Sequence, residues 1–198
     1  MANEYGTLAA LKERLAIETD DTSRDTFLSS ALASASRFID RATGRRFWLD
    51  AEPVLRTYKP DGRIVREADG DLFLVDDIGS TTGLVVETGS GTTWSPITGY
   101  ETSPDNALAD GRPITGLLRP LSTWGIATTR LRVTARFGWP AVPDDVTEAT
   151  LIQATRLYKR KDSPEGIIGS AEWGVRNLSR RDPDVWALIE PYILPGFG

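Results

Sequence analysis

The sequence predicts an α+β fold in which N- and C-terminal helices form a small helical bundle and an antiparallel β-rich domain, sandwich or barrel-like, is inserted between them. Helical periodicity occurs at both ends of the chain. All 12 prolines lie after residue 52, and short β-prone runs alternate with turn residues from 53 to 143. We therefore divide the chain into an N-terminal helical part at 1–52, the β-rich insert at 53–143, and C-terminal helices with an extended arm at 144–198, which packs with 1–52 as one helical domain.

Two helices are predicted in the N-terminal part. Thr7 can cap the first, in which leucines repeat at three- and four-residue spacing. The second should run from 23 to 43, with Asp21, Thr22 or Ser23 as its N-cap and Gly44 at the left-handed position that ends it. Its apolar stripe has helical spacing and comprises Phe27, Leu28, Ala31, Leu32, Ala35, Phe38, Ile39 and Ala42.

The insert should contain six short strands joined by tight turns. Residues 89–91 (Gly-Ser-Gly) predict a hairpin turn, and 103–112 an exposed loop. The last strand alternates charged or polar with apolar residues, which is typical of a half-buried strand. The predicted strands are Val54–Tyr58, Asp71–Val75, Leu84–Thr88, Thr92–Trp94, Thr115–Leu118 and Leu131–Phe137.

The C-terminal part should contain two more helices. The third follows Pro143 and has two aspartates in its first turn. The fourth starts at Asp182-Pro183 and ends or kinks at Pro191. Residues 165–179 are glycine-rich and should be extended, and we expect the tail 194–198 to order only on a partner. The predicted face of the third helix comprises Val146, Ala149, Ile152, Gln153, Leu157 and Arg160.

Composition restricts the chemistry of this chain. It has no cysteine and no histidine, so disulfides, thiolate catalysis, cysteine-ligated zinc and histidine general bases are all excluded. Carboxylate chemistry and a magnesium site remain open. The net charge of −5 argues against a protein that grips duplex DNA. We expect no cofactor, no membrane span and no signal peptide.

The paired aspartates have ordinary structural explanations. Asp76 and Asp77 are adjacent in a strand-like segment, so their side chains should point to opposite faces and not share a proton or a metal ion. Asp144 and Asp145 lie where a helix N-terminus favours negative charge. Both pairs therefore favour a structural interpretation over a catalytic one.

Basic and aromatic residues offer two interpretations each. Arg45, Arg46 and Trp48 could bind phosphate and stack on bases, or could anchor the exit of a helix, which the acidic net charge favours. The basic run 159–161 suits a helix C-terminus or an ion pair to a neighbouring subunit. Among the six tryptophans, Trp139 and Trp186 are expected in the core. Those for which core and interface positions both stay open are Trp48, Trp94, Trp124 and Trp173.

Several motifs, taken in order, resemble a known family. A short helix precedes a long one ending in Ile39-Asp-Arg-Ala-Thr-Gly-Arg-Arg-Phe47, and the strand-rich insert ends in Gly138-Trp-Pro-Ala-Val-Pro143. A helix follows, then Arg160-Lys-Asp-Ser-Pro-Glu-Gly166 and Ser179-Arg-Arg-Asp-Pro-Asp-Val185. This arrangement resembles the head–tail connector (adaptor) proteins of long-tailed bacteriophages over roughly half of the chain, at its two ends.

The resemblance implies a structural protein of the virion neck and no enzyme. Such proteins form a homo-oligomeric ring, usually a homododecamer, beneath the portal, and join the DNA-filled head to the tail. DNA would pass through the lumen at genome ejection without specific binding. The partners would be further copies, the portal protein and the next neck or tail-terminator protein. The chain would be made in the host cytoplasm and end in the virion.

The resemblance also implies two groups of contact residues. One is the segment 165–178 with the tail after Pro191, which would dock on the portal. Its candidates are Glu165, Gly166, Ile167, Ile168, Gly169, Trp173, Val175, Leu178, Tyr192 and Phe197. The other group would contact neighbouring subunits: Arg45, Arg46, Trp48, Lys159, Arg160 and Lys161.

Two other functions compete with the connector. A neck or tail-completion protein one ring lower would share the composition and the lack of catalytic residues. A carboxylate-based hydrolase, such as a glycosidase or a magnesium-dependent nuclease, is the remote alternative. It would have to use acidic residues that capping and turn preferences already explain.

Overall fold

A computed structural model describes residues 3–124, 129–160, 167–168, 176–177 and 182–194. The chain divides into two compact units. The helical unit comprises Met1–Arg45 and Val142–Gly198, and the β unit comprises Arg46–Ala141. The β unit begins seven residues before the expected start of the insert at 53, and ends two residues before its expected end at 143. The α+β class with a β insert between helical ends is confirmed.

The helical unit contains α1 (Leu8–Arg14), α2 (Asp25–Thr43), α3 (Asp144–Lys159) and α4 (Pro183–Ile189), and a 3₁₀ turn (Glu190–Tyr192) follows α4. α2 packs along α3, while α1 contacts both and α4 packs on α3. The apolar faces meet in one cluster, which contains Leu11, Leu28, Ala31, Leu32, Ala35, Leu151, Ala154 and Tyr158.

Helix ends follow the predicted chemistry at three of four sites. The Thr7 hydroxyl accepts a hydrogen bond from Ala10 N at 3.1 Å, Gly44 ends α2 with φ 69°, and Asp182 caps α4. The predicted N-cap of α2 is wrong: Arg24 occupies that position and makes no side-chain cap bond. The Asp21 carboxylate instead accepts from Ser23 N, which forms a local turn before the helix.

Two predicted apolar faces are partly wrong. Phe27 lies on the solvent side of α2, 65% exposed, because the buried side of this helix begins with Leu28. On α3, the predicted residues Ile152, Gln153 and Leu157 are half-buried and Arg160 is exposed. The residues of α3 that are buried are Val146, Ala149, Thr150, Leu151, Ala154 and Tyr158. The periodicity predicted the helix correctly but placed part of its buried face wrongly. Thr150 is buried although it is polar, because its hydroxyl donates to Val146 O at 2.7 Å.

The β unit is one antiparallel sheet of seven strands. The strands are β1 (Val54–Tyr58), β2 (Ile64–Arg66), β3 (Gly70–Ser90), β4 (Thr93–Pro96), β5 (Glu101–Ser103), β6 (Ile114–Pro120) and β7 (Arg130–Phe137). The main order is β1-β7-β3-β6-β5, and β2 and β4 pair with β3. The hairpin predicted at 89–91 is present, but its turn is Gly91-Thr92, because Gly89 and Ser90 belong to β3 and pair with Trp94 and Thr93. β2 and β5 were not predicted, because three residues carry too little pattern.

The two strands predicted at 71–75 and 84–88 are one continuous strand, β3. Its first part pairs with β2 and β6, and its second part pairs with β4 and β7. Register shifts between Leu74 and Ile78 and between Ser80 and Val85 allow the strand to bend without ending. Glycine and threonine between the two runs are bulge residues here and not a loop.

The core of the β unit lies on one face of these strands. Trp124 is fully buried, and its indole N–H donates to Asp71 O at 2.7 Å. The predicted core position of Trp139 is confirmed, since it is 7% exposed. Trp186 was also expected in the core, but it is only half-buried in the helical unit. The main members of the β core are Tyr58, Phe73, Ile78, Val86, Ile114, Leu117, Trp124, Leu131, Val133, Ala135 and Phe137.

Candidate assembly surfaces

The adjacent aspartates of β3 bind different partners. Asp76 pairs with Arg56 at 2.7 Å and accepts from the Tyr58 hydroxyl at 3.0 Å. Asp77 accepts from the Trp139 indole N–H at 3.0 Å. The two carboxylates therefore bind different groups, as expected for adjacent residues in a strand.

Burial raises the pKa of the Tyr58 hydroxyl far above its ordinary value. The neighbouring Asp76 carboxylate adds to the shift, because a second negative charge beside it would be repelled. Arg56 and Arg63 oppose it. The hydroxyl therefore stays protonated at neutral pH and serves as a hydrogen-bond donor.

Neither a metal-ligating cluster nor a membrane-spanning helix occurs among the described residues. No cluster of three or more histidine, cysteine, aspartate or glutamate residues is found in this part of the chain. A cavity of about 300 Å³ in the β unit is lined by Arg119 as the one ionisable group among the described residues. Among the described helices, none is long and apolar enough to cross a lipid bilayer.

Arg45 and Tyr192 hold the end of α2 within the helical unit. The Arg45 guanidinium donates to Tyr192 O at 2.8 Å, and Leu194 N donates to Thr43 O at 2.8 Å. The Tyr192 hydroxyl donates to the Asp145 carboxylate at 3.3 Å. Tyr192 and Leu194 are therefore held against the α2 C-terminus.

Arg46 and Trp48 form a compact bridge inside the β unit. Arg46 pairs with the buried Asp50 at 2.8 Å and donates to Phe137 O at 3.0 Å. Its guanidinium lies 3.8 Å from the centre of the Trp48 ring. Asp50 is bound to β7 by its backbone N–H and accepts from Phe137 N. This geometry matches the predicted aromatic anchor at a helix exit and gives Arg46 a structural partner.

The basic end of α3 is open to solvent. Lys159 and Arg160 are both exposed, and neither side chain makes a hydrogen bond or ion pair within the part of the chain that the structure describes. Lys161 lies outside the described residues. These two cations remain candidates for contact with another molecule.

Most of the expected portal-docking residues lie outside the described part of the chain. This holds for Glu165, Gly166, Gly169, Trp173, Val175, Leu178 and Phe197. At Ile167–Ile168 the backbone is a short strand that pairs antiparallel with Arg176–Asn177. Two extended segments therefore lie side by side within 165–178.

Sequence reasoning missed a surface on the β unit that we call the outer β face. It is the side of β1, β7 and β3 opposite the core. Leu55 and Val85 flank Thr134 across three strands and are 50% and 46% exposed. The members of the outer β face are Leu55, Thr57, Val85, Glu87, Trp94, Arg130, Arg132 and Thr134.

Arg132 and Trp94 give the outer β face a rigid basic centre. The Arg132 guanidinium stacks 3.7 Å from the centre of the Trp94 ring, and the Trp94 indole N–H donates to Gly91 O at 3.0 Å. The Arg132 Nε is buried and has no acceptor among the described residues. The signal was available, since Arg130, Arg132 and Arg136 alternate with the buried residues of one strand.

Comparison with known proteins gives a match in structure alone. No protein-family model matches the chain, and no curated protein matches it either. A chain from the neck of an empty gene transfer agent (GTA) particle, computed with C6 symmetry, is 17% identical. The alignment covers 96% of this chain and 91% of that one, with a TM-score of 0.54. The fold is that of a chain in a GTA neck.

A second solved structure gives the same result. A chain from the virion of a native GTA particle is 18% identical, with a TM-score of 0.55 and the same coverage of 96% and 91%. At this identity the likeness establishes the fold, and it extends over both the helical unit and the β unit. Both solved structures are of assembled particles.

Proposed function

We propose that this chain is a structural head–tail connector (adaptor) of a tailed, phage-like particle, without catalytic activity. Copies would form a ring beneath the portal and join the DNA-filled head to the tail. One observation carries the proposal: the fold matches, over 96% of the chain, that of a chain in the neck of a GTA particle. The connector-like motifs at both ends support the same conclusion from the sequence.

The ring is proposed to contain twelve chains. The neck structure that contains the similar chain was computed with C6 symmetry. A ring of twelve equal chains also satisfies six-fold symmetry. Each chain has a net charge of −5, so such a ring would be strongly acidic. An acidic lumen would repel DNA and allow it to slide through.

The portal-docking segment is proposed to be 165–178 together with the tail after Pro191. The hydrogen bond from Arg45 to Tyr192 O fixes the start of this tail on the helical unit, which supports a docking segment at a defined place. The paired strands at 167–168 and 176–177 support an extended arm that could add strand hydrogen bonds to a partner. The exposed Lys159 and Arg160 lie just before this arm in the chain.

Partner choice tests the proposal against the neck or tail-completion alternative. Native mass spectrometry and negative-stain imaging would be applied to the protein alone, with portal, and with the tail-tube terminus. A ring that binds portal is the expected result. A ring that binds only the tail terminus would assign the chain to the next ring down. A chain that stays monomeric with both partners would contradict a neck function altogether.

A further inference from the structure

The outer β face combines apolar, aromatic and basic groups in adjacent rows. Leu55, Thr134 and Val85 form one row across β1, β7 and β3. Thr57, Arg132 and Glu87 form the next row. Exposed aliphatic side chains next to a stacked arginine are the composition of a protein–protein contact, in which arginine and aromatic residues dominate the binding energy.

Arg132 is prepared for a carboxylate partner. Stacking on Trp94 holds the guanidinium plane in place, so little side-chain entropy would be lost on binding. The residue opposite it on β3 is Glu87, yet neither Arg132 nor Arg130 forms an ion pair within the described residues. Because the Arg132 guanidinium has no carboxylate partner among the described residues, it favours an acidic group from another molecule.

The other edge of the same sheet has the opposite charge. β5 is the edge strand there, and its Glu101 is exposed. The loop that follows carries the exposed Asp105 and Asp110, with Arg112 as the basic residue among them. We call Glu101, Asp105 and Asp110 the acidic edge. The acidic edge belongs to β5 and the loop after it, whereas the outer β face is formed chiefly by β1, β7 and β3. The two surfaces therefore share no residues.

We propose that the outer β face of each copy receives the acidic edge of the next copy in the ring. The inference rests on the proposed function, because a ring needs a head-to-tail contact between two different and complementary surfaces. The occupant is a second copy and not DNA for two reasons. The apolar side chains of Leu55 and Val85 cannot pair with the charged phosphate backbone of DNA, and the Glu87 carboxylate would repel it.

Charge reversal on each surface provides the test. The face variant is Arg130→Glu/Arg132→Glu, and the edge variant is Glu101→Lys/Asp105→Lys/Asp110→Lys. Each alone should lose the ring, measured by native mass spectrometry with portal present, while circular dichroism shows an intact fold. Mixed together, the two should form rings in which the variants alternate, because the two unchanged surfaces complement each other and so do the two reversed ones. Reversal of both surfaces in one chain should restore the ring.

The apolar row has a matched control. Leu55→Asp should raise the concentration for half-assembly by about 30-fold, as loss of a central anchor does. Leu121→Asp should not change it, since Leu121 is 94% exposed and lies outside the outer β face. Equal effects of the two substitutions would overturn the inference.

The possible outcomes separate this inference from the function on which it rests. A wild-type chain that forms no ring with any partner overturns both. If the wild-type chain forms a ring and the face variant still forms one, the inference alone is overturned. If those persisting rings also lose affinity for duplex DNA, the arginines contact phosphate instead. Two assembly-deficient variants that stay monomeric in the mixture would likewise show that face and edge do not meet.

Discussion

Single tryptophans in this chain separate stability from assembly. Trp124 is fully buried among the aromatic residues of the β core, and its indole N–H has a backbone partner in β3. Trp94 is half-buried under Arg132 at the surface. Two residues of one type therefore have different environments, which composition could not distinguish.

We predict that Trp124→Ala lowers the free energy of unfolding by about 3–5 kcal/mol, because it empties a packed site and leaves Asp71 O without its donor. Trp94→Ala should cost roughly 1 kcal/mol or less in the isolated chain, the value of an exposed cation–π contact. Urea unfolding of both variants measures the difference. Equal losses would mean that Trp94 belongs to the core.

Tyr58 makes the stability of the β unit depend on alkaline pH. Its pKa is raised in the folded protein, chiefly by burial, whereas in the unfolded chain it ionises near pH ~10. The folded state therefore holds the proton more tightly. The stabilisation is fully present below about pH 10 and is lost as the pH rises towards the folded pKa.

We predict that Tyr58→Phe unfolds with a shallower loss of stability above about pH 10 than the wild type, because the variant has no hydroxyl to ionise at this site. Urea midpoints compared across that range measure it. The pKa of Tyr100 is also raised by burial, but both proteins contain Tyr100, so it cancels in the comparison. Parallel profiles would show that Tyr58 does not titrate with unfolding.

At the scale of elements, tight contacts between backbone segments fix the ends of strands. Gly138 follows β7 with φ 115°, and a Cβ placed there would lie 2.0 Å from Trp48 O. Gly91 in the β3–β4 turn has φ 58°, but a Cβ there meets nothing within 4 Å. The two glycines share a positive φ and differ in available space.

We predict that Gly138→Ala destabilises the β unit far more than Gly91→Ala. The second should cost about 1–2 kcal/mol, the penalty of a left-handed residue with a side chain. The first adds a clash with the backbone of the segment that carries Arg46 and Asp50. Thermal unfolding of the two variants provides the comparison. A Gly138→Ala variant as stable as Gly91→Ala would mean that this segment shifts freely.

Local chemistry was predictable for elements whose signals are contained in a few residues. Thr7, Gly44 and Asp182 act as caps because their side chains or φ values satisfy adjacent backbone groups. The continuity of β3 was not predictable, because its bulges depend on pairing with β6 and β7, which are distant in sequence. β2 and β5 were missed for another reason, since three residues each carry too little pattern.

The candidate surfaces show the same limit. Sequence reasoning placed Arg46 and Trp48 at a helix exit but could not show that Asp50 and β7 use the charge of Arg46. The outer β face needs the register of three strands, and only that register brings Leu55 next to Val85 through Thr134. A stripe of arginines in one strand gave half of the signal.

At the scale of the whole molecule, the proposed assembly uses two independent contacts. The outer β face would bind the next copy, and the arm at 165–178 would bind the portal. Contacts that share no residues should contribute additively to assembly. Substitution of one aromatic residue in each region can therefore separate the two.

We predict that Trp173→Ala leaves the monomer folded and weakens portal binding by about 2 kcal/mol or more, as loss of a hot-spot aromatic does. Trp94→Ala is the matched control and should weaken ring formation, with a smaller effect on how one chain binds portal. Native mass spectrometry with portal measures both effects, and the melting temperature monitors the fold. A lower melting temperature for Trp173→Ala with unchanged assembly would place Trp173 in the core. Loss of ring formation in the Trp173 variant, with portal binding unchanged, would assign the arm to contacts between copies.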